Sequence, residues 1–121
     1  MTLAVETSVQ EKRDAVARIV ASGALGRQSK LPAILSYLVE QELAGKGEAL
    51  KGYAIATDVL GRGTDFDPGT DSIVRVELRR LRQALALYYA TEGAADPVRV
   101  TIPSGTYRIN DAVLQDIYHP P

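Results

Sequence analysis

The chain has 121 residues, of which 45% are hydrophobic and 24% charged, and its formal net charge at pH 7 is −1. A chain of this length fits one domain with its own core and needs no disulfide or metal to fold. The absence of cysteine excludes disulfides, thiolate chemistry and zinc-finger ligation, and the near-neutral charge excludes a protein that coats nucleic acid by sheer positive charge.

The first two predicted elements are a flexible N-terminus, residues 1–7, and a helix that begins at Ser8. Gly23 is expected to stop this helix near residue 21 or 22. Its apolar positions form one helical stripe, made of Val9, Val16, Ile19 and Val20.

Two further helices follow. The second has Ser29 as its predicted N-cap and Pro32 in its first turn, and it ends in Gly45-Lys46-Gly47. Its buried face is expected to hold Leu31, Ile34, Leu35, Leu38, Val39 and Leu43. The third is short, about residues 50–60 with Gly61 at its end, which suits the first helix of a helix-turn-helix. Its predicted buried set is Tyr53, Ile55, Ala56, Val59 and Leu60.

The loop GRGTDFDPGT joins the third helix to the fourth, and its Phe66, the only phenylalanine, is expected to insert into the core. The loop also imitates the start of a calcium site through Asp65, Asp67, Gly69 and Asp71. The imitation fails because position twelve is Val76 where a bidentate glutamate is required. We therefore predict turn and cap roles for the aspartates.

Residues 71–92 (DSIVRVELRRLRQALALYYATE) form a long amphipathic helix around which the rest of the chain is organised. Asp71 and Ser72 can cap its start, and Gly93 is expected to close it in a left-handed conformation. The buried stripe, at i, i+4, i+7, i+11 and i+14, is Val74, Leu78, Leu81, Leu85 and Tyr88. At about 100° per residue, the arginines of the adjacent face fall within roughly 60° of arc; they are Arg75, Arg79 and Arg82.

Two short strands, residues 98–102 and 106–109, are predicted around a Pro103-Ser104-Gly105 turn. The predicted fold is therefore mainly α: a winged helix-turn-helix of about four helices followed by a two-stranded β-hairpin wing, in one domain over residues 8–110. Residues 71–110 carry six basic and four acidic side chains, a net charge of +2 where the recognition helix and wing are expected. The predicted core includes Leu35, Leu38, Ile55, Val59, Leu78, Leu81 and Leu85.

Residues 111–121 are predicted to be a short C-terminal helix or tail. Its apolar side is expected to serve either as a latch on the domain or as a dimer contact, through Val113, Leu114, Ile117 and Tyr118.

The chain offers no catalytic constellation. Its single histidine, His119, lies in a proline-terminated tail, and there is no GxSxG, Walker or HExxH motif. The acidic pairs Glu40/Glu42 and Asp65/Asp67 are expected only to be hydrated. We expect no enzyme activity, no cofactor and no metal. With no apolar run of about 18 residues and no basic signal-peptide region, we expect a cytoplasmic protein without membrane contact.

Four runs of the sequence carry a resemblance to a known family: LKGYAIATDVLGR, DFDP, DSIVRVELRRLRQALALYY and DPVRVTIPSGTYRI. They resemble the winged-helix module found at the N-termini of many bacterial regulators that carry cyclase-like, TolB-like or tetratricopeptide-repeat regions. The resemblance covers about residues 31–109. A more distant similarity is to the OmpR/PhoB-type DNA-binding domain, from which this chain departs in beginning with a helix and in having Thr106 where that domain has a glycine.

Both resemblances imply contacts with double-stranded DNA. Residues 71–92 would enter the major groove, and the Ser104-Gly105 tip of the wing 98–109 would lie over the adjacent minor groove. Lys51 and Tyr53, at the start of the third helix, would face phosphates.

The sequence assigns the recognition chemistry as follows. Ser72, Arg75 and Val76 are predicted to contact base edges, because the N-terminal part of a recognition helix reaches them. Phosphate contacts are predicted for Arg79, Arg80, Arg82, Lys51, Ser104 and Thr106. The expected partners are double-stranded DNA, a second copy in a homodimer, and RNA polymerase or another regulator.

An adaptor without DNA binding is the alternative. Arginines on an exposed helix face are often only solvated, and Glu77 could pair with one of them on the same helix. A winged helix can also dock proteins in bacterial signalling. A steep dependence of duplex affinity on salt would distinguish DNA binding from such an adaptor.

Overall fold

The computed structural model describes residues 9–113, which form four helices followed by two short strands. The helices are α1 (Val9–Ser22), α2 (Leu31–Leu43), α3 (Gly52–Asp58) and α4 (Ile73–Ala90), and the strands are β1 (Val98–Thr101) and β2 (Asn110–Val113). The prediction of a mainly helical chain is confirmed. The flexible N-terminus, the start at Ser8 and the tail residues Leu114, Ile117 and Tyr118 lie outside the described residues.

One hydrophobic core joins the helices to β1. Of the seven predicted core residues six are buried, and Val59 is partly buried and packed against them. The largest fully buried side chains are Ile19, Ile34, Leu35, Leu38, Ile55, Leu78, Leu81 and Val100. Three residues predicted to face the core are more exposed: Val9, Val20 and Tyr53. Val9 and Val20 are exposed because α1 packs on the core through only three buried residues, Ala15, Val16 and Ile19.

Two helix ends differ from their predicted form. Gly93 does not adopt the left-handed conformation; its N–H donates to the Tyr88 carbonyl at 2.7 Å, and a Cβ at Gly93 would overlap the Tyr88 ring. Glycine is therefore required here for space. At the start of α4, Asp71 Oδ1 accepts the Ile73 N–H at 3.0 Å, whereas Ser72 occupies the N-cap position without a side-chain hydrogen bond.

The second strand lies later in the chain than predicted. β2 pairs antiparallel with β1, with Thr101 opposite Asn110. The segment 106–109 is no strand because its backbone binds elsewhere: the Thr106 carbonyl accepts from Arg82, and the Ile109 N–H donates to Glu42. We call residues 102–109 the β1–β2 loop. Residues 111–113, predicted to begin a terminal helix, belong to β2 instead.

Side chains of α4 cover the edge of β1 that faces away from β2. The Tyr89 hydroxyl accepts the Val100 N–H at 2.8 Å and lies 3.4 Å from the Val98 carbonyl, to which it donates. Arg82 lies seven residues earlier on the same face of α4, and its Nε donates to the Ile102 carbonyl at 3.1 Å. Burial raises the pKa of Tyr89 to about 12, so this hydroxyl keeps its proton. The helix thereby hydrogen-bonds to the strand edge as a neighbouring strand would.

We expect Leu81→Ala to lower the free energy of unfolding by about 2 to 5 kcal/mol, because the substitution leaves a cavity in the core. The matched control is Leu87→Ala on the same helix, where the side chain is 66% exposed and the expected cost is below about 0.5 kcal/mol. Urea denaturation of both variants measures the difference. Equal losses would mean that the buried face of α4 is misassigned.

Candidate nucleic-acid interface

The arginine face of α4 and the β1–β2 loop enclose a groove of about 500 Å³. We call it the α4–loop groove. The loop turns at Gly105, whose φ of 81° is in the left-handed region that glycine adopts without strain. The groove brings together five of the predicted DNA-binding residues, which are Arg75, Arg79, Arg82, Ser104 and Thr106.

Three arginines of this helix remain largely available to a ligand. Arg75 is exposed and uses Nη1 to donate to the Pro68 carbonyl at 3.0 Å. Arg79 is exposed and has no hydrogen-bond or ion-pair partner among the described residues. Arg80 pairs with Glu77 at 3.4 Å, as the sequence predicts for one arginine, but its side chain stays 64% exposed. An exposed pair of this kind contributes little and is readily exchanged.

Arg82 has a different environment. Its Nη2 donates to the Thr106 carbonyl at 2.8 Å and the Pro103 carbonyl at 3.5 Å, while Nε binds the Ile102 carbonyl. A guanidinium is a rigid fork of donors, and one side of this fork is directed into the loop. The structure thus gives Arg82 a positioning role for the β1–β2 loop, and its predicted phosphate contact stays a prediction.

The start of α3 lies against the loop and α4. A Cβ on Gly52 would lie 3.0 Å from the Tyr107 hydroxyl and 3.7 Å from Val74 Cγ1. The neighbouring Lys51 is exposed, but it lines a separate surface depression with Tyr37 and Gln41 of α2 and does not line the α4–loop groove.

Tyr53 supports a neighbouring loop. Its hydroxyl donates to the Thr64 carbonyl at 3.1 Å, and its ring centroid lies 6.4 Å from that of Phe66. Phe66 is partly buried and packs against the core, in keeping with its predicted insertion. A phosphate contact by the Tyr53 hydroxyl would compete with the bond to Thr64.

The predicted residues other than the arginines differ in exposure and in hydrogen bonding. Ser72 and Ser104 are exposed, whereas Val76 is partly buried. The Thr106 hydroxyl donates to the Pro103 carbonyl at 2.9 Å and accepts the Arg108 N–H at 3.3 Å. Thr106 thus shapes the tip of the loop with the group that was predicted to bind phosphate.

Glu42 and Arg108 form a second clamp on the loop. The Glu42 carboxylate accepts from Arg108 Nε at 3.0 Å and Nη2 at 2.6 Å, and from the Ile109 N–H at 3.2 Å. A Cβ on Gly47 would overlap this carboxylate, so glycine leaves room for it. Hydrogen bonding to Arg108 holds the pKa of Glu42 below its ordinary value, against the effect of burial.

The sequence interpretation of Glu40 and Glu42 as merely hydrated is wrong. Glu40 pairs with Arg13 at 2.8 Å, and Glu42 pairs with Arg108. The partners are 27 and 66 residues away along the chain. No local spacing rule connects residues so far apart, so only the fold reveals the pairs.

Two of the three aspartates with predicted turn and cap roles, Asp67 and Asp71, have them in the structure. Asp67 Oδ1 accepts the Gly69 N–H at 2.9 Å, and Asp71 adds an ion pair with Arg62 at 2.8 Å to its cap hydrogen bond. Within residues 9–113 no group of three histidine, cysteine or acidic side chains is placed to hold a metal ion.

Comparisons of the chain with protein-family models, curated proteins and solved structures found no match. The resemblance to winged-helix regulators therefore stays a prediction, and any function of the groove is inferred from the residues that line it. Among the described residues, no helix has the length and apolar character needed to cross a membrane.

We expect Arg82→Met to lower the free energy of unfolding by about 1 to 3 kcal/mol, because loop carbonyls lose a charged donor while the aliphatic stem is kept. Arg80→Met, on the exposed side of the same helix, should change it by less than about 0.5 kcal/mol. Denaturation of both variants at one pH makes the comparison. An Arg82 variant as stable as the Arg80 control would contradict the clamp.

The Glu42 clamp predicts a pH dependence of stability. Because the folded-state pKa is depressed from 4.5, the charged carboxylate stabilises the fold above that pH and loses this effect as pH falls through the folded value. Between neutral pH and about pH 3, Glu42→Gln should therefore lose less stability than the unmodified chain. Glu92→Gln, which changes an exposed carboxylate after α4, is the control and should keep the original pH dependence. Parallel curves for the Glu42 variant and the unmodified chain would rule out the clamp.

Proposed function

We propose that this chain is a sequence-specific regulator of transcription that binds double-stranded DNA as a winged helix. In this proposal α4 enters the major groove, and the hairpin of β1, the β1–β2 loop and β2 lies on the adjacent minor groove. The α4–loop groove is the observation that carries the proposal. It sets available guanidinium groups on a helix opposite an exposed loop tip.

The dimensions of α4 suit this role. Its 18 residues give a length of about 27 Å, and a B-DNA major groove about 12 Å wide admits an α-helix. Its buried residues lie on one face, and Arg75, Arg79 and Arg80 are exposed. A helix packed in this way can present its arginines to DNA without unfolding any part of the core.

Base contacts are assigned to the N-terminal turn of α4. Arg75 is held there by the Pro68 carbonyl through Nη1, which leaves Nε and Nη2 to reach guanine. Ser72 and the partly buried Val76 complete the proposed readout, the valine through a thymine methyl group.

Phosphate contacts are assigned to the rim of the groove. Arg79 and Arg80 lie one turn further along α4, Lys51 lies at the start of α3, and Ser104 lies at the loop tip. Arg79 and Ser104 line the groove, and Arg80 and Lys51 are exposed. Positive charge together with hydroxyl donors is the pattern that positions a protein on the DNA backbone.

The two clamps on the loop support the assignment of the loop as a wing. Arg82 fixes its first part and Glu42 its last part, so little conformational freedom is left to lose when the loop meets DNA. Fixing a loop in advance lowers the entropic cost of binding.

A second copy of the chain is part of the proposal. A single recognition helix contacts few base pairs, and two copies on half-sites about one helical turn of DNA apart would double the contacts. RNA polymerase or another regulator is the further partner through which bound protein would affect transcription.

Fragments selected from random duplex DNA test the proposal, followed by titrations at several salt concentrations. Arg75→Ala should cost about 1 to 3 kcal/mol on the selected site and relax preference at one base position. Arg79→Ala should weaken all duplexes alike and reduce the salt slope by about one. Arg27→Ala removes an exposed arginine between α1 and α2 and should leave affinity unchanged.

Two results would contradict the proposed DNA binding. If no duplex is retained in low salt, or if both α4 variants bind like the Arg27 control, α4 does not enter the major groove. The arginine face would then belong to the protein-docking adaptor.

A further inference from the structure

A second groove, of about 290 Å³, lies between α4 and β1 on the other side of Arg82. We call it the α4–β1 groove. Its wall is formed by apolar and aromatic side chains, Leu85, Ala86, Tyr89 and Ile102, and its polar groups are Arg82, Arg99 and Thr101. Among the side chains that the structure describes, no acidic one lines it.

Arg99 has an unsatisfied hydrogen-bond donor beside this groove. Its guanidinium carbon lies 4.9 Å from the centroid of the Tyr89 ring, and its Nε is buried without a hydrogen-bond partner among the described residues. A buried donor of a charged group that lacks an acceptor is costly, and native structures pair almost all such groups. The stack on Tyr89 holds the side chain in place but supplies no acceptor for this N–H.

The residues that line the groove indicate which kind of ligand would accept hydrogen bonds from Arg99. Among the described residues no carboxylate lines the groove beside Arg99, and the planar fork of an arginine matches an anionic carboxylate with two parallel hydrogen bonds. The aliphatic and aromatic wall favours a ligand in which an apolar group is attached to the carboxylate. The volume lies at the lower end of small-molecule sites, which excludes a folded partner as the occupant.

We propose that the α4–β1 groove is a binding site for a small aromatic or aliphatic monocarboxylate, with Arg99 as its carboxylate ligand. The apolar part of the ligand packs on Leu85, Ala86 and Ile102. This site is separate from the DNA surface proposed above, and its existence does not depend on DNA binding.

Arg82 connects the site to the β1–β2 loop. The same guanidinium lines the groove and holds the carbonyls of Ile102 and Thr106. A carboxylate that attracts Arg82 competes with these carbonyls for its donors. Occupancy therefore changes the surroundings of Thr106 and Tyr107, at the far end of the clamp.

The experiment follows the full-length, 15N-labelled chain by NMR during titration with phenylacetate, and in parallel with phenylacetamide, its uncharged analogue. We expect saturable shifts of the Arg99 Nε–Hε signal and of the Thr106 and Tyr107 amide signals with phenylacetate, at a dissociation constant of about 1 mM or below. Phenylacetamide should give no saturable shift, because it offers no anion to the guanidinium.

Variants locate the site. Arg99→Gln should weaken phenylacetate binding at least about tenfold, read from the Thr106 and Tyr107 signals. Arg27→Gln loses the same charge outside the groove and should bind like the unmodified chain. An unchanged spectrum of the α4 and β1 backbone in Arg99→Gln shows that the variant is folded; if it is not, the Arg99 Nε–Hε response of the unmodified chain decides alone.

Several results would overturn the inference. They are the absence of saturable shifts with phenylacetate, an equal response to the amide, or undiminished binding by a folded Arg99→Gln variant. None of these results bears on duplex binding, so failure of this site and failure of the proposed DNA interface are distinguishable.

Discussion

The packing of α4 against β1 is the constraint on which the rest of this structure depends. Leu78, Leu81 and Leu85 bury one stripe of the helix, while Tyr89 and Arg82 hydrogen-bond to the strand edge beside it. Hydrophobic contact alone would allow the strand to slide along the helix, because apolar burial has no direction. The directional hydrogen bonds fix the register of β1, and thereby the position at which the β1–β2 loop leaves it.

The arginine row of α4 therefore contains residues of two kinds: one that the fold uses and others that it leaves exposed. Arg82 stands between the α4–loop groove and the α4–β1 groove and lines both. Arg75 and Arg79, on the same arginine row, are left largely unused by the fold. In this row of chemically identical side chains, Arg82 hydrogen-bonds to the β1–β2 loop, whereas Arg75 and Arg79 do not.

The sequence predicted what local periodicity determines. The helical stripes located α2, α3 and α4 and all but one of the predicted core residues, since burial of one helix face repeats every three to four residues. The sequence-based prediction failed where residues that are distant in the chain determine the local structure. The β2 strand was misplaced because Arg82 and Glu42 occupy the backbone of 106–109, and the Glu42–Arg108 pair has no local signature. For the site, spacing identified the arginine row but could not tell which arginine the fold would use.

The Tyr89 hydroxyl has a further consequence for the solution behaviour of the chain. The outer backbone groups of Val98 and Val100 in β1 bond to the Tyr89 hydroxyl instead of to a third strand, and Arg82 bonds the Ile102 carbonyl directly after the strand. Unprotected edges of this kind recruit strands from other molecules and lead to aggregation or domain swapping. Protection of this edge therefore depends on two side chains of a helix, so a mutation that leaves the leucine stripe of α4 intact can still expose the edge to another molecule.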